Sequence, residues 1–213
     1  MKLCSISVGK SFCEKYSQRV KQYAPTDIDL IILTDHPEYF DFCETELYTD
    51  DTFSYFSKNT FAVELCKKYK TDVFYIDIDS FHIVDNSIYK NKFQTTYFLY
   101  DKLWPDFTHS EINSLPKDLL DYYGISGNLQ IENIHEKLFY IPYSTKIENL
   151  YRDLVNIKKL WDTETINSEP KGNAKKYSRY GVGYGEGIPL SLCLMMNGIQ
   201  TMKYKLTKQK TTI

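Results

Sequence analysis

The stretch Val73-Phe74-Tyr75-Ile76-Asp77-Ile78-Asp79 constrains this chain more than any other. An uninterrupted apolar run rich in β-branched and aromatic side chains leads straight into two carboxylates, the pattern of a strand buried on both faces that ends in a polar site. Side chains alternate along a strand with period two, which puts Asp77 and Asp79 on one side, able to share a cation or a ligand, and sends Ile78 into the packing. A second Asp-x-Asp, Asp27-Ile28-Asp29, serves as a control. Its carboxylates precede the apolar run Leu30 to Leu33, whereas ligands of open α/β sheets gather outside the carboxyl ends of strands. Asp27 and Asp29 are expected to be solvated.

A strand buried on both faces needs helices above and below it, and the flanking sequence supplies them. Leu3 to Val8 is β-rich and is broken by Gly9. Phe12, Tyr16, Val20 and Tyr23 then mark one face of a helix that Pro25 ends. Leu30 to Leu33 forms a second buried strand, closed by Thr34-Asp35-His36-Pro37, and a short strand is expected around Glu46-Leu47-Tyr48. Ser57 is placed to cap a helix whose face is Ala62, Leu65, Cys66 and Tyr69, with Lys67, Lys68 and Lys70 favourably placed at its end. The order β-α-β-(loop)-α-β predicts an α/β fold with a doubly wound, mixed, mostly parallel sheet and helices on both faces.

Beyond residue 85 the pattern is looser. Thr95 to Tyr100 and Leu138 to Tyr143 are strand-like, and Leu119 to Gly124 suggests a short helix. Ile147, Leu150, Tyr151, Leu154, Ile157, Leu160 and Trp161 outline the strongest amphipathic helix of the chain. Residues 168–187 are polar, basic and glycine-rich, the composition of a mobile loop, and Lys171, Lys175, Lys176 and Arg179 there are either a solvated surface or a lid over phosphates. Gly181-Val182-Gly183-Tyr184-Gly185 lacks the preceding buried strand that a dinucleotide fingerprint requires. Pro189 is expected at the first position of a helix that Gly198 ends, and Gln200 to Leu206 is a last strand.

The totals narrow the partners. At 213 residues a single domain is expected, with residues 1–85 as a nucleotide-binding half and 86–213 as an acceptor-binding half. A net charge of −2 gives no global attraction to nucleic acid or anionic lipid, though it leaves nucleic acid open as an acceptor. No apolar run approaches the ~20 residues of a membrane span and no signal-peptide core is evident, which favours a cytoplasmic protein. Five cysteines without C-x-x-C spacing point to buried thiols rather than a disulfide or zinc framework.

A strand ending near Val8 and Gly9, a strand ending in Thr34-Asp35, a helix with Lys58 near its start and the strand into Asp77-Ile78-Asp79 together resemble the nucleotide-sugar-dependent glycosyltransferases of GT-A fold. The resemblance covers about the first half. It implies a hexosyl- or pentosyltransferase moving sugar from a nucleoside diphosphate sugar, a UDP-sugar first among candidates, to a carbohydrate or other hydroxyl acceptor. It implies Mn²⁺ or Mg²⁺ held by Asp79, with Asp77 on the ribose and a weaker link to the metal, and donor contacts from Val8, Gly9, Asp35, Lys58, Lys175 and Arg179. An acidic residue ahead of a helix in the second half, here Glu186, would be the catalytic base.

The chain departs from that pattern in lacking a histidine after His135, so the third metal ligand is unassigned. His82 is a candidate, set against a plain loop or core histidine. Trp104, Tyr122, Tyr123, Tyr143 and Trp161 are candidates to line an acceptor cleft, although Trp161 also completes a helix face. A haloacid-dehalogenase phosphatase would carry its Asp-x-Asp after the first strand. A polymerase-type nucleotidyltransferase would place glycines shortly before it, and residues 57–76 contain none. A nucleotide- or metal-binding module without transferase chemistry, or another Asp-x-Asp phosphate-transfer enzyme, is the alternative.

Overall fold

In the computed structural model, which describes residues 1–50, 56–84, 88–89, 97–100, 117–126, 137–167 and 187–204, three parallel strands form the centre of the sheet. Strand β1 (Lys2–Ser7) lies between β2 (Asp29–Thr34) and β4 (Val73–Ile76), with Lys2 opposite both Asp29 and Val73. Strand β3 (Glu44–Leu47) adds a parallel edge beside β2, and β6 (Leu138–Ile141) pairs antiparallel with β4, Ile76 facing Leu138. The order β3-β2-β1-β4-β6 reverses direction between β1 and β4, which creates a crevice at their carboxyl ends.

The sheet is covered on both faces, as the sequence predicts. Cys4, Ile6, Ile31, Val73, Tyr75, Phe139 and Ile141 face one core, with Phe61, Ala62, Leu65 and Cys66 of α2 (Ser57–Tyr69), Ile147, Leu150, Leu154 and Ile157 of α4 (Ile147–Asn167), and Leu190, Leu192, Cys193 and Leu194 of α5 (Gly187–Met196). Leu3, Leu30, Ile32, Phe74, Ile76, Leu138 and Tyr140 face the other core, against Cys13, Tyr16 and Val20 of α1 (Lys10–Tyr23). Every residue of β4 is buried, so its apolar run is consumed by two cores at once.

Local details differ from expectation. Helix α1 buries Cys13, Tyr16, Ser17 and Val20 while Phe12 is 41% exposed, because the helix is rotated to seat the small Cys13 beneath the β1 and β2 ends. Ser57 does not cap α2; it is the first helical residue after Phe56, and its buried hydroxyl has no hydrogen-bond partner among the described residues. Pro189 is the third residue of α5, still within the first turn, where a missing N–H costs nothing. Strands β5 (Tyr97–Tyr100) and β7 (Thr201–Tyr204) pair in parallel as a separate two-stranded sheet, and α3 (Lys117–Tyr122) is the expected short helix.

Candidate functional site

At the carboxyl edge of β4 the strand ends one residue before the first aspartate. Asp77 to Ser80 form a turn closed by Ser80 N–H donating to Asp77 O at 2.8 Å, so the carboxylates are set by a turn and not by the pleat. Ile78 goes into the packing as expected, 2% exposed within the core against α1. Asp77 turns toward α2 instead: Tyr75 Oη donates to its Oδ1 at 2.7 Å, and Lys58 Nζ lies 3.9 Å from the same oxygen. Lys58, the second residue of α2, has a side chain only 6% exposed, an unusual burial for an ammonium that its acidic partner explains.

Burial pushes the Asp77 carboxyl above the usual range; Lys58 and the Tyr75 hydroxyl pull it partly back, and Asp79 adds to the rise. Asp79 is more open, its side chain 39% exposed. Its Oδ1 accepts from Ser80 Oγ at 2.9 Å, and its Oδ2 lies 3.7 Å from Lys137 Nζ. Lys137 is a site residue that sequence pattern missed. It comes to the site because β6 runs antiparallel to β4, so the entry of one strand meets the exit of the other, a junction sealed by Asp77 N–H donating to Lys137 O at 2.8 Å.

Beside these residues lie the ends of β1 and β2. Gly9 adopts φ 94°, and among the described residues no atom lies within 4 Å of where its side chain would stand, consistent with close approach of a ligand to the backbone. Its N–H is not offered outward, however, for it donates to Asp35 Oδ1 at 2.8 Å and thereby fixes that carboxylate. The other oxygen of Asp35 lies 3.9 Å from His36 Nε2, and His36 Nδ1 is 2.8 Å from Glu38 Oε1. Backbone hydrogen bonding first, then His36, holds Glu38 below the usual carboxylate range. His36 and Glu38 thus extend the rim in a way that their spacing alone did not announce. Val8 is half-buried against the core on the α2 side.

Other sequence candidates fall elsewhere. His82 lies tilted against Tyr23 of α1, ring centroids 6.4 Å apart, on the face away from Lys58, and among the described residues it forms no metal-ligand group with the carboxylates. Asp29 pairs with Lys2 at 3.2 Å, is largely exposed, and stands at the opposite edge of the sheet, as a solvated residue should. Tyr143 also lies at that opposite edge, its N–H donating to Asp72 just before β4, which removes it from an acceptor cleft on the Asp77 side. Tyr122 and Tyr123 pack edge-on at 4.8 Å and both donate to Asp153 of α4, so their hydroxyls serve helix packing. Lys171, Lys175, Lys176, Arg179, Glu186 and Trp104 lie outside the described residues, as does the side chain of Trp161.

The donor set suits a hard divalent cation that also binds phosphate. Asp77 and Asp79 offer carboxylate oxygens, Asp79 from a partly open position, and among the described residues no third His, Cys, Asp or Glu joins them in a cage. One or two carboxylates with phosphates and waters completing the shell is the usual arrangement for Mg²⁺ on a diphosphate. Among the described residues no helix is long and apolar enough to cross a membrane. All five cysteines are free thiols.

No family model matches the chain, and no curated protein matches it. Solved structures similar to it include 4-diphosphocytidyl-2C-methyl-D-erythritol synthase from Anaerococcus prevotii, at 8% identity and TM-score 0.43 over 100% of this chain and 89% of that one. Another is mannose-1-phosphate geranyltransferase from Thermus thermophilus, at 11% identity and TM-score 0.39 over 95% of this chain and 69% of that one. At these values both describe a loosely similar chain trace, and the reading of the site rests on its own geometry.

Proposed function

We propose that the protein is a glycosyltransferase that moves a hexosyl or pentosyl group from a nucleoside diphosphate sugar to a hydroxyl acceptor. The observation that carries the reading is the pairing of Asp77 with Lys58 and of Asp79 with Lys137 at the carboxyl end of β4, beside Gly9 and the tethered Asp35 of the neighbouring strands. In this reading the first 85 residues hold the donor and the remainder of a single domain serves the acceptor.

Asp35 has one oxygen fixed by Gly9 and directs the other to an N–H or O–H of the nucleoside. Asp77 accepts a hydrogen bond from the ribose, and Lys58 compensates its charge within the desolvated pocket. Mn²⁺ or Mg²⁺, held by Asp79 and more weakly by Asp77, would offset the charge that develops on the departing diphosphate. Lys175 and Arg179 cover the phosphates and keep water from the anomeric carbon. Glu186 takes the proton of the acceptor hydroxyl as that oxygen bonds to the anomeric carbon and the bond to the diphosphate oxygen breaks, releasing nucleoside diphosphate.

Calorimetry with UDP- and GDP-sugars, with Mn²⁺ and then with EDTA, tests the proposal. Binding that requires the cation and is lost in Asp79→Ala is expected. Binding indifferent to EDTA, or retained by Asp79→Ala, contradicts the metal role, and absence of binding across the panel contradicts the donor class.

A further inference from the structure

We propose that Lys137 is a phosphate-binding residue that occupies Asp79 until donor arrives, so that lysine and divalent cation compete for one carboxylate and then share one diphosphate. The inference rests on the diphosphate reading of the site given above. The backbone of Lys137 is anchored, its carbonyl accepting from Asp77 N–H at 2.8 Å, while its side chain is 33% exposed and reaches Asp79 Oδ2 at 3.7 Å. At that separation the ammonium is beyond hydrogen-bonding distance, a loose pair of the kind that contributes little and is easily left.

The oxygen that Lys137 approaches is the one a cation needs. Asp79 Oδ1 already receives Ser80 Oγ at 2.9 Å, which leaves Oδ2 as the open corner of the carboxylate. A divalent cation sits roughly 2.1 Å from its carboxylate oxygen, and an ammonium crowding the same oxygen is repelled by it. The displaced ammonium then has a new anion within reach, because the cation brings the diphosphate with it. Lysine suits the exchange: a compact charge with three donors on a flexible stem follows an anion that a rigid guanidinium would have to meet in one orientation.

Charge balance points the same way. Asp77 and Asp79 oppose Lys58 and Lys137, so the charges of these four groups cancel before any ligand enters. A divalent cation and the diphosphate of a nucleoside diphosphate sugar, which carries two negative charges, are together also neutral and can therefore enter as a pair with less penalty than either alone. Cation and diphosphate should each bind weakly by themselves and well together.

The test compares wild type, Lys137→Met and Lys137→Arg by titration with Mn²⁺ alone, followed by electron paramagnetic resonance, and by calorimetry with UDP and GDP plus Mn²⁺ and with uridine and guanosine. Lys137→Met should bind Mn²⁺ alone about tenfold more tightly and bind the preferred diphosphate about 10- to 100-fold more weakly, with nucleoside affinity unchanged. Lys137→Arg should restore most of the diphosphate affinity. Opposite movements of cation and diphosphate affinity are what a merely structural lysine would not produce. If Lys137→Met weakens both ligands together, or changes neither while wild type binds both, the exchange is wrong and the diphosphate site stands. If wild type binds neither Mn²⁺ nor any diphosphate, the exchange and the reading beneath it fall together.

Discussion

Replacing Lys58 with Met should strand the Asp77 carboxylate. The ammonium lies 3.9 Å from Asp77 Oδ1, and both side chains are well withdrawn from water, 6% and 22% exposed. Two unit charges at that distance interact by about 4 kcal/mol at an effective dielectric constant near 20. Breaking a buried pair by removing one partner costs about 3–5 kcal/mol, because the remaining charge stays desolvated. Methionine keeps the length and apolar stem of the side chain, so little of the loss should come from packing.

The variant has a way out, since the Asp77 carboxyl is already raised by burial and rises further without Lys58. A carboxyl whose pKa is higher folded than unfolded holds its proton more tightly in the native state, so the native state loses stability as pH rises through that pKa and regains it as pH falls. The deficit of Lys58→Met should thus be about 2–4 kcal/mol at about pH 7.5 and clearly smaller at about pH 5.5. Urea unfolding followed by far-ultraviolet circular dichroism at both pH values measures it. In Lys58→Met/Asp77→Asn the penalty should largely vanish, giving a coupling energy of the same sign and size. A deficit below about 0.5 kcal/mol with no pH dependence would mean that the pair is a solvated contact, and the argument from desolvation would be wrong.

Two further outcomes are expected. Burial raises the thiols of Cys43, Cys66 and Cys193 to about 12 and that of Cys4 well above its ordinary value, so native protein should react slowly with dithionitrobenzoate at about pH 8 and expose all five thiols only in urea; rapid native reaction at any of these four would contradict the packing. Glu186→Gln should lower kcat by about 10²–10⁴ while donor affinity is nearly unchanged, and near-wild-type transfer by that variant would remove Glu186 from the mechanism.

The first 85 residues were legible in the sequence for a physical reason. A parallel strand buried on both faces is written as an unbroken apolar run, and the helices around it carry a regular apolar face, so β1, β2, β4, α1 and α2 all leave a periodic trace. The same logic separated Asp77 and Asp79 from Asp27 and Asp29, because strand direction decides which carboxylates stand at the ligand edge. Lys137 was not legible. Its place depends on β6 pairing antiparallel with β4 across a long intervening stretch of chain, and nothing local in Glu136-Lys137-Leu138 records that partner. The tether between Gly9 and Asp35 was equally silent, for it comes from the close approach of two loop ends. Phe12 misled because a helical face was counted from its largest residues, whereas α1 turns the small Cys13 inward where the strand ends leave little room.

In the proposed function Asp77 and Asp79 form a cation-dependent site for a nucleoside diphosphate sugar. Calorimetric titration of wild type and Asp79→Ala with the best-binding nucleotide sugar, in Mn²⁺ and in EDTA, tests it most directly. Tight binding is expected only for wild type in Mn²⁺, with a loss of affinity of at least about tenfold in each of the other three conditions. Equal affinity in all four would contradict it.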